Sequence, residues 1–151
     1  MPDRLVPDYF RLFNEIGIIG QLSRTLLEAR LPPGYVAAQF SVLNNLVQVG
    51  DGRTPLAIAQ AFQVPKNSMT HSLTVLEREG LIEIRRNPQD GRSKLVYITD
   101  KGRKFRADVI DALAPDIARI AAAVPPEFVA RLLPDLEILR KFLDADRDRP
   151  A

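Results

Sequence analysis

A gap of only three residues between two helical patterns is the feature that most constrains the fold of this 151-residue chain. Thr54 and Pro55 supply a cap and a favoured first residue for a short helix that we expect to end near Phe62. After residues 63–65 a second helical pattern runs to Gly80. Two short helices joined this closely must cross steeply, so the segment predicts a helix-turn-helix.

Alternating apolar and polar residues after Gly80 predict a β-hairpin. Residues 81–86 place isoleucines on one face and Glu83 and Arg85 on the other, and residues 94–99 alternate as well, with Val96 and Ile98 inward. The seven residues between them contain Asn-Pro and Asp-Gly dipeptides, which favour turns. We therefore expect the helix-turn-helix to be followed by a wing.

Amphipathic helices are expected on the N-terminal side of this segment. Residues 9–30 have apolar side chains at helical spacing, and the prolines at 32 and 33 end the pattern. A second helix is expected over about residues 36–49. Its buried side chains should be Phe40, Leu43 and either Leu46 or Val47.

Prolines divide the C-terminal part of the chain. Thr99 or Asp100 should cap a helix that runs toward Val124 with a kink at Pro115. A last helix begins at residues 125–126, and Pro134 leaves open whether it is one helix or two shorter ones. Its apolar seam consists of Phe128, Leu132, Leu136, Leu139 and Leu143.

The predicted fold class is mainly α (α+β), with a winged helix-turn-helix lobe at residues 31–107. The stripes on the helices outside this lobe offer more apolar surface than a small lobe can cover. We therefore expect residues 1–30 and 108–151 to be dimerisation helices within a single chain of 151 residues.

The second helix of the helix-turn-helix has one apolar and one polar face. Met69, Leu73 and Leu76 form the stripe that we expect to be buried. The opposite face carries short polar side chains, which suit a helix that reads base edges in a DNA groove. The candidate base contacts are Lys66, Asn67, Ser68, Thr70, His71 and Thr74, with Arg78 expected on a phosphate. The alternative is a polar solvent face, and a lone histidine is more often a surface or core residue.

Positive charge is concentrated in the middle of the chain. Residues 51–107 hold eleven basic and six acidic side chains, residues 1–50 are balanced, and residues 108–151 have a net charge of −3. The distribution fits a central segment that meets a polyanion, although an imbalance of this size also arises by chance. Candidate phosphate contacts in the hairpin are Arg85, Arg86 and Lys94, whereas Lys101, Arg103, Lys104 and Arg106 are expected to be solvated or peripheral.

Several functions are excluded by what the sequence lacks. With no Cys and one His, it offers no disulfide, no thiol chemistry and no Cys- or His-rich metal site. Neither a phosphate-cradling glycine loop nor the spacing of a catalytic triad is present, so we expect no enzyme and no cofactor. The uncharged run of residues 31–50 holds two prolines and several amides, which excludes a membrane span. Because the N-terminus lacks an apolar signal region, we expect a cytoplasmic protein.

Three segments together resemble the MarR family of winged-helix transcription regulators. They are QFSVLNNL at residues 39–46, the stretch from Leu56 to Glu83, and the wing motif DGRSKLVYIT at residues 90–99. The resemblance implies a homodimeric DNA-binding regulator, in most cases a repressor, on a palindromic operator. It also implies that Arg92 enters the minor groove while Asp90 holds its guanidinium. The other interpretation of these two residues is a surface turn pair.

The same resemblance implies a small phenolic or anionic effector that binds between the dimerisation helices and the DNA lobe. Two residues depart from the family pattern: Pro65 stands where many members have a Ser or Thr cap, and Pro134 interrupts the last helix. The alternative function is a dimeric protein-interaction module that keeps the winged fold without reading DNA. Affinity for duplex DNA that falls steeply with salt would distinguish the two.

Overall fold

The computed structural model describes residues 2–62, 66–147 and 149–150. In these residues it has a mainly α fold with one two-stranded sheet, as the sequence predicts. The elements, in chain order, are α1 (Pro2–Glu28), α2 (Ala37–Gln48), α3 (Pro55–Phe62), α4 (Lys66–Arg78), β1 (Ile82–Arg86), β2 (Lys94–Ile98), α5 (Asp100–Ala112), α6 (Ala114–Ala123) and α7 (Pro126–Asp146). None of the described helices has the length and apolar composition needed to cross a bilayer. The chain divides into two compact units, Met1–Ala112 and Leu113–Ala151.

The core of the first unit forms where α2, α3, α4 and the sheet meet. Leu43, Ile58, Leu76 and Val96 are at most 1% exposed. The predicted stripe of α4 and the predicted inner face of α2 are both confirmed, because all of these side chains are buried: Phe40, Leu43, Leu46, Met69, Leu73 and Leu76. Helix α4 is therefore fixed by its apolar face, and its polar face is left to solvent.

The two strands pair antiparallel in the register that the alternation predicts. Ile82 pairs with Ile98, and Ile84 pairs with Val96, so the inward-facing side chains lie opposite each other. The strands are one residue shorter than expected, at the start of β1 and at the end of β2. The Thr99 N–H still donates to the Leu81 carbonyl at 3.1 Å, but the Leu81 N–H donates to Leu76 at the end of α4 instead of returning a bond to Thr99. The Thr99 hydroxyl caps α5, accepting from the Gly102 N–H at 3.0 Å and donating to the Gly80 carbonyl at 2.7 Å.

Helix α1 begins at Pro2, seven residues before the predicted start at Tyr9. Pro7 lies inside it, and the loss of its N–H removes only one backbone bond near the helix end. The extension carries the apolar stripe further toward the N-terminus, because Leu5 and Val6 are both exposed apolar residues on it.

The expectation of one helix kinked at Pro115 is wrong. Helix α5 ends at Ala112, and α6 starts at Ala114 with Pro115 in its first turn. A proline has no N–H to lose in the first turn, so it starts a helix more readily than it bends one.

Helix α7 runs without interruption from Pro126 to Asp146 with Pro134 inside. The alternative of two shorter helices is therefore not adopted. Pro134 removes one backbone bond from the interior of α7, whereas Pro126 removes none, because the N–H groups of the first turn have no helical partner in any case.

Candidate nucleic-acid interface

The polar face of α4 is exposed along its whole length. Five of the predicted base contacts lie on this face and are exposed: Asn67, Ser68, Thr70, His71 and Thr74. Lys66 begins the helix, but its side chain lies outside the described residues, as do residues 63–65, including the Pro65 cap position. Because Met69 and Leu73 hold the opposite face in the core, the exposed face has a fixed rotation about the helix axis.

Thr74 has a defined hydrogen-bonding state on this face. Its hydroxyl donates to the carbonyl oxygen of Thr70 at 2.9 Å, one turn earlier. A hydroxyl that donates its hydrogen bond to a helix carbonyl can still accept hydrogen bonds through its oxygen lone pairs. Thr74 can therefore accept from a base amino group or contact a thymine methyl group.

Arg78 lies at the end of α4 in a solvent-exposed ion pair. Its Nε is 3.3 Å from Oε1 of Glu79, and both side chains are largely accessible. Exposed pairs of this kind contribute about 0–1 kcal/mol, so a phosphate can displace Glu79 at little cost.

Hydrogen bonds within residues 87–93 shape the wing turn. The Asp90 carboxylate accepts from the backbone N–H of Arg92 at 3.0 Å, and the Asn87 side chain donates to the Ser93 hydroxyl at 2.8 Å. Among the described residues no ion pair joins Asp90 to the Arg92 guanidinium. The structure therefore differs from the expected contact: an Asp two residues before an N–H closes a local turn, so Asp90 holds the backbone of Arg92 and leaves its side chain exposed.

Arg85 is engaged on the hairpin itself. Its Nε and Nη2 donate to the two carboxylate oxygens of Glu83, both at 3.1 Å, and its guanidinium lies 4.2 Å from the centre of the Tyr97 ring. These hydrogen bonds and the opposite charges lower the pKa of Glu83 and raise the pKa of Arg85. Because side chains alternate along β1, Arg85 points to the opposite face from Arg86.

A cationic cleft lies between the end of α4 and the wing. It has a volume of about 360 Å³, and its lining includes Glu77, Arg86, Arg92 and Lys94. Arg86 crosses the wing turn so closely that a Cβ at Gly91 would lie 2.8 Å from its Nη2. Within the described part of the chain none of the three cations has an acidic partner. They are therefore available to an anionic ligand beside the polar face of α4.

The four basic side chains at the start of α5 all contact other groups of the protein. Lys101 donates to the carbonyl oxygen of Glu79 at 2.8 Å, and Lys104 lies 2.7 Å from Asp108. The other two members, Arg103 and Arg106, contact Asp51 and Asn44 respectively. The four cations of α5 therefore all have partners within the protein, whereas Arg86, Arg92 and Lys94 have no acidic partner among the described residues.

A second cavity of about 290 Å³ lies between α1, α2 and α4. Its lining residues are Arg24, Glu28, Val36, Ala37, Ala38, Ser41, Ser68, Met69 and Ser72. Glu28 accepts from the Ala37 N–H at 3.1 Å and so caps α2, whereas Arg24 has no acidic partner among the described residues. Ser68 thus belongs both to the exposed face of α4 and to the cavity wall. The family resemblance implies a ligand site between these parts of the chain, but sequence reasoning did not identify its lining residues because they come from three separate segments.

Two helices joined by a short connection, with the second presenting a polar face beside a cationic wing, define a winged helix-turn-helix of the DNA-binding class. Residues 34–93 match the family model described as the MarR family. Over these residues the chain is similar to the MarR family, and its fold is of the MarR-type winged-helix class.

Solved structures of regulators share the fold. The chain is 26% identical to a cysteine-to-serine mutant of MarR from E. coli in complex with operator DNA, with a TM-score of 0.70 over 89% of this chain and 97% of that one. It is similar to the transcriptional regulator BldR from Sulfolobus solfataricus, with 24% identity and a TM-score of 0.78 over 91% and 97% of the two chains. PcaV from Streptomyces coelicolor in complex with its natural ligand has 22% identity and a TM-score of 0.65 over 86% and 89%.

Proposed function

We propose that this protein is a cytoplasmic, homodimeric repressor that binds a palindromic operator. In this proposal residues 31–107 bind DNA, and residues 1–30 and 108–151 form the dimer. The observation that carries it is the exposed polar face of α4 beside three cations without acidic partners, Arg86, Arg92 and Lys94. Hydrogen-bonding side chains next to cations match the base edges and the phosphates of a duplex.

Helix α4 lies in the major groove in this proposal. The residues that contact bases are Lys66 at the helix start and the exposed residues with short polar side chains, which are Asn67, Ser68, Thr70, His71 and Thr74. Because the first residues of a recognition helix approach the base edges most closely, Asn67 and Thr70 are the principal candidates for sequence readout. Ser68 stands at the border between the groove and the cavity.

The wing and the end of α4 bind the backbone. Arg92 enters the minor groove, where negative potential favours arginine, and Asp90 presets the turn that carries it. Arg78, Arg86 and Lys94 bind phosphates. Arg85, the remaining hairpin arginine, reaches a phosphate only after it leaves Glu83, so we assign it a small share of the affinity.

The apolar faces of α1 and α7 support the homodimer. Tyr9, Ile19 and Leu22 of α1 are each more than half exposed, and Phe128 and Leu143 of α7 are more than 40% exposed. Apolar surface costs about 25 cal/mol per Å² when it stays in water, so a second copy of the chain is the cover we propose. Isologous pairing then sets two α4 helices about one DNA turn apart, which requires a palindromic site.

The cavity between α1, α2 and α4 supports an effector that releases the operator. Arg24 offers a cation to an anionic group, while Val36 and Met69 offer apolar contact to a ring, so a small phenolic or anionic compound fits the lining. An occupant would touch α4 directly through Met69. Release requires that the compound binds the DNA-free state more tightly than the DNA-bound state.

Selection of bound fragments from a random DNA pool, followed by titration of the enriched duplex, tests the proposal. We expect an enriched palindrome, and Arg92→Ala should weaken binding to it by about 1–3 kcal/mol while the dimer persists. Arg140→Ala in α7 removes the same charge from an exposed ion pair and serves as the matched control, with no loss expected. No enrichment, together with no affinity for any duplex, would instead favour the protein-interaction module.

A further inference from the structure

Residues 51–53 run along the open edge of β2. The Val96 N–H donates to the Arg53 carbonyl at 2.8 Å, and the Gly52 N–H donates to the Val96 carbonyl at 2.9 Å. Two residues further along β2, the Ile98 N–H donates to Oδ1 of Asp51 at 2.8 Å. The Asp51 carboxylate therefore takes the place that a backbone acceptor of a third strand would fill.

The same short segment is tied to two helices. The second carboxylate oxygen of Asp51 lies 3.7 Å from Nη2 of Arg103 in α5. The Arg53 guanidinium donates to the amide oxygen of Asn45, which is buried in α2. Residues 51–53 therefore hold the wing strand relative to α2 and α5, and Asp51 supplies the contact to α5 together with the bond to Ile98.

The wing needs such a support. Two strands of five residues, alone, form a hairpin of marginal stability in water. The half of this hairpin nearest the helices, with Ile82, Val96 and Ile98, packs into the core, while Arg86 and Lys94 near the tip are exposed. If the direction of β2 changes at Ile98, the turn at the other end of the strand moves with it. The position of Arg92 therefore depends on how the Ile98 end of β2 is fixed.

We infer that Asp51 is a positioning residue for DNA binding, which acts through the Ile98 N–H to hold the wing where Arg92 reaches the minor groove. The inference rests on the proposed function and adds a residue that does not touch DNA. Removal of a negative charge alone should raise the affinity of the protein for DNA, which is a polyanion. Weaker DNA binding after removal of Asp51 therefore cannot be explained by the change in charge.

Asp51→Ala and Asp51→Asn form a matched pair of variants. Both remove the negative charge, but only asparagine keeps an oxygen that accepts from the Ile98 N–H. With the duplex selected by the wild-type protein, we expect Asp51→Ala to bind at least about fivefold more weakly and Asp51→Asn to stay within about twofold. Amide hydrogen exchange at Ile98 should be slow in the wild type and in Asp51→Asn and fast in Asp51→Ala.

A double-mutant cycle with Arg92→Ala separates positioning from a loss of stability. If Asp51 acts through the wing, Arg92→Ala should cost little further affinity once Asp51 is alanine. Additive losses, equal affinities of the two Asp51 variants, or unchanged affinity of Asp51→Ala would each overturn the inference while wild-type DNA binding stands. A wild-type protein that binds no duplex would overturn the proposed function and this inference with it.

If Asp51→Ala does not fold, Asp51→Glu replaces it in the cycle. Glutamate keeps the charge but carries its oxygens one methylene further from the backbone, away from the Ile98 N–H. We expect weaker binding and the same loss of additivity with Arg92→Ala. Wild-type affinity in Asp51→Glu, together with fast exchange at Ile98, would overturn the inference.

Discussion

The first turn of α5 packs against Leu81, the residue before β1, so closely that a Cβ at Gly102 would lie 2.1 Å from the carbonyl oxygen of Leu81. That oxygen belongs to the backbone and cannot rotate aside, so any side chain at position 102 must move α5 away from the start of β1.

Gly102→Ala should therefore destabilise the lobe by about 1–3 kcal/mol, the usual cost of overpacking. Thermal or denaturant unfolding measures this change. Gly17→Ala in α1 is the matched control, because a Cβ there meets nothing within 4 Å and alanine favours a helix. Equal stability of Gly102→Ala and wild type would show that the contact between α5 and Leu81 is looser than the structure indicates.

Gly91→Ala should separate DNA affinity from stability. The new Cβ would meet the end of the flexible Arg86 side chain, which can move aside, so the free energy of unfolding should change by less than about 0.5 kcal/mol. Because Arg86 then leaves its place across the wing turn, we expect several-fold weaker operator binding. The prediction is wrong if affinity persists, or if it falls only in proportion to the folded fraction.

The ion pair of Glu83 with Arg85 makes the hairpin sensitive to acid. Arg85 lowers the pKa of Glu83 below its ordinary 4.5, so the folded state binds a proton less readily than the unfolded state. The stabilisation is present above pH 4.5 and is lost as the pH falls through the lowered pKa. An NMR titration of Glu83 should show its pKa rise toward 4.5 in Arg85→Met; an unchanged value would exclude Arg85 as the cause.

Arg24 should set the affinity of the cavity for anions without affecting DNA binding. We expect Arg24→Ala to weaken binding of a small aromatic carboxylate such as benzoate at least about tenfold, because a charge-assisted hydrogen bond of about 1.5–3 kcal/mol is lost. Calorimetry with the DNA-free protein measures this, and operator affinity without benzoate serves as the control. Equal benzoate affinity of both proteins would place the anion elsewhere.

Local periodicity was sufficient to predict the elements that carry the interface. The stripe of Met69, Leu73 and Leu76 and the alternation in β1 and β2 depend only on neighbours in sequence, so burial and register could be read directly. The pairing of Glu83 with Arg85 was also within reach, because residues two apart in a strand share a face.

Contacts between distant segments could not be predicted in this way. The Asp51 carboxylate accepts a hydrogen bond from the N–H of Ile98, 47 positions later, and the sequence around Asp51 indicates only a turn. Glu28 caps a helix that starts nine residues further on. The expectation of a kink at Pro115 was wrong because a proline inside one bent helix and a proline in the first turn of a new helix interrupt an apolar pattern in the same way.

The salt dependence of operator binding tests the central claim most directly. Three phosphate contacts per protomer, from Arg78, Arg86 and Lys94, predict that the logarithm of affinity falls with the logarithm of salt concentration with a slope of about −5 for the dimer. Replacement of Arg86 and Lys94 by alanine should reduce this slope by between about three and four, whereas Lys104→Ala, which removes a cation paired with Asp108, should leave it unchanged. A slope near zero, or one that responds to Lys104 and not to the wing cations, would contradict the account.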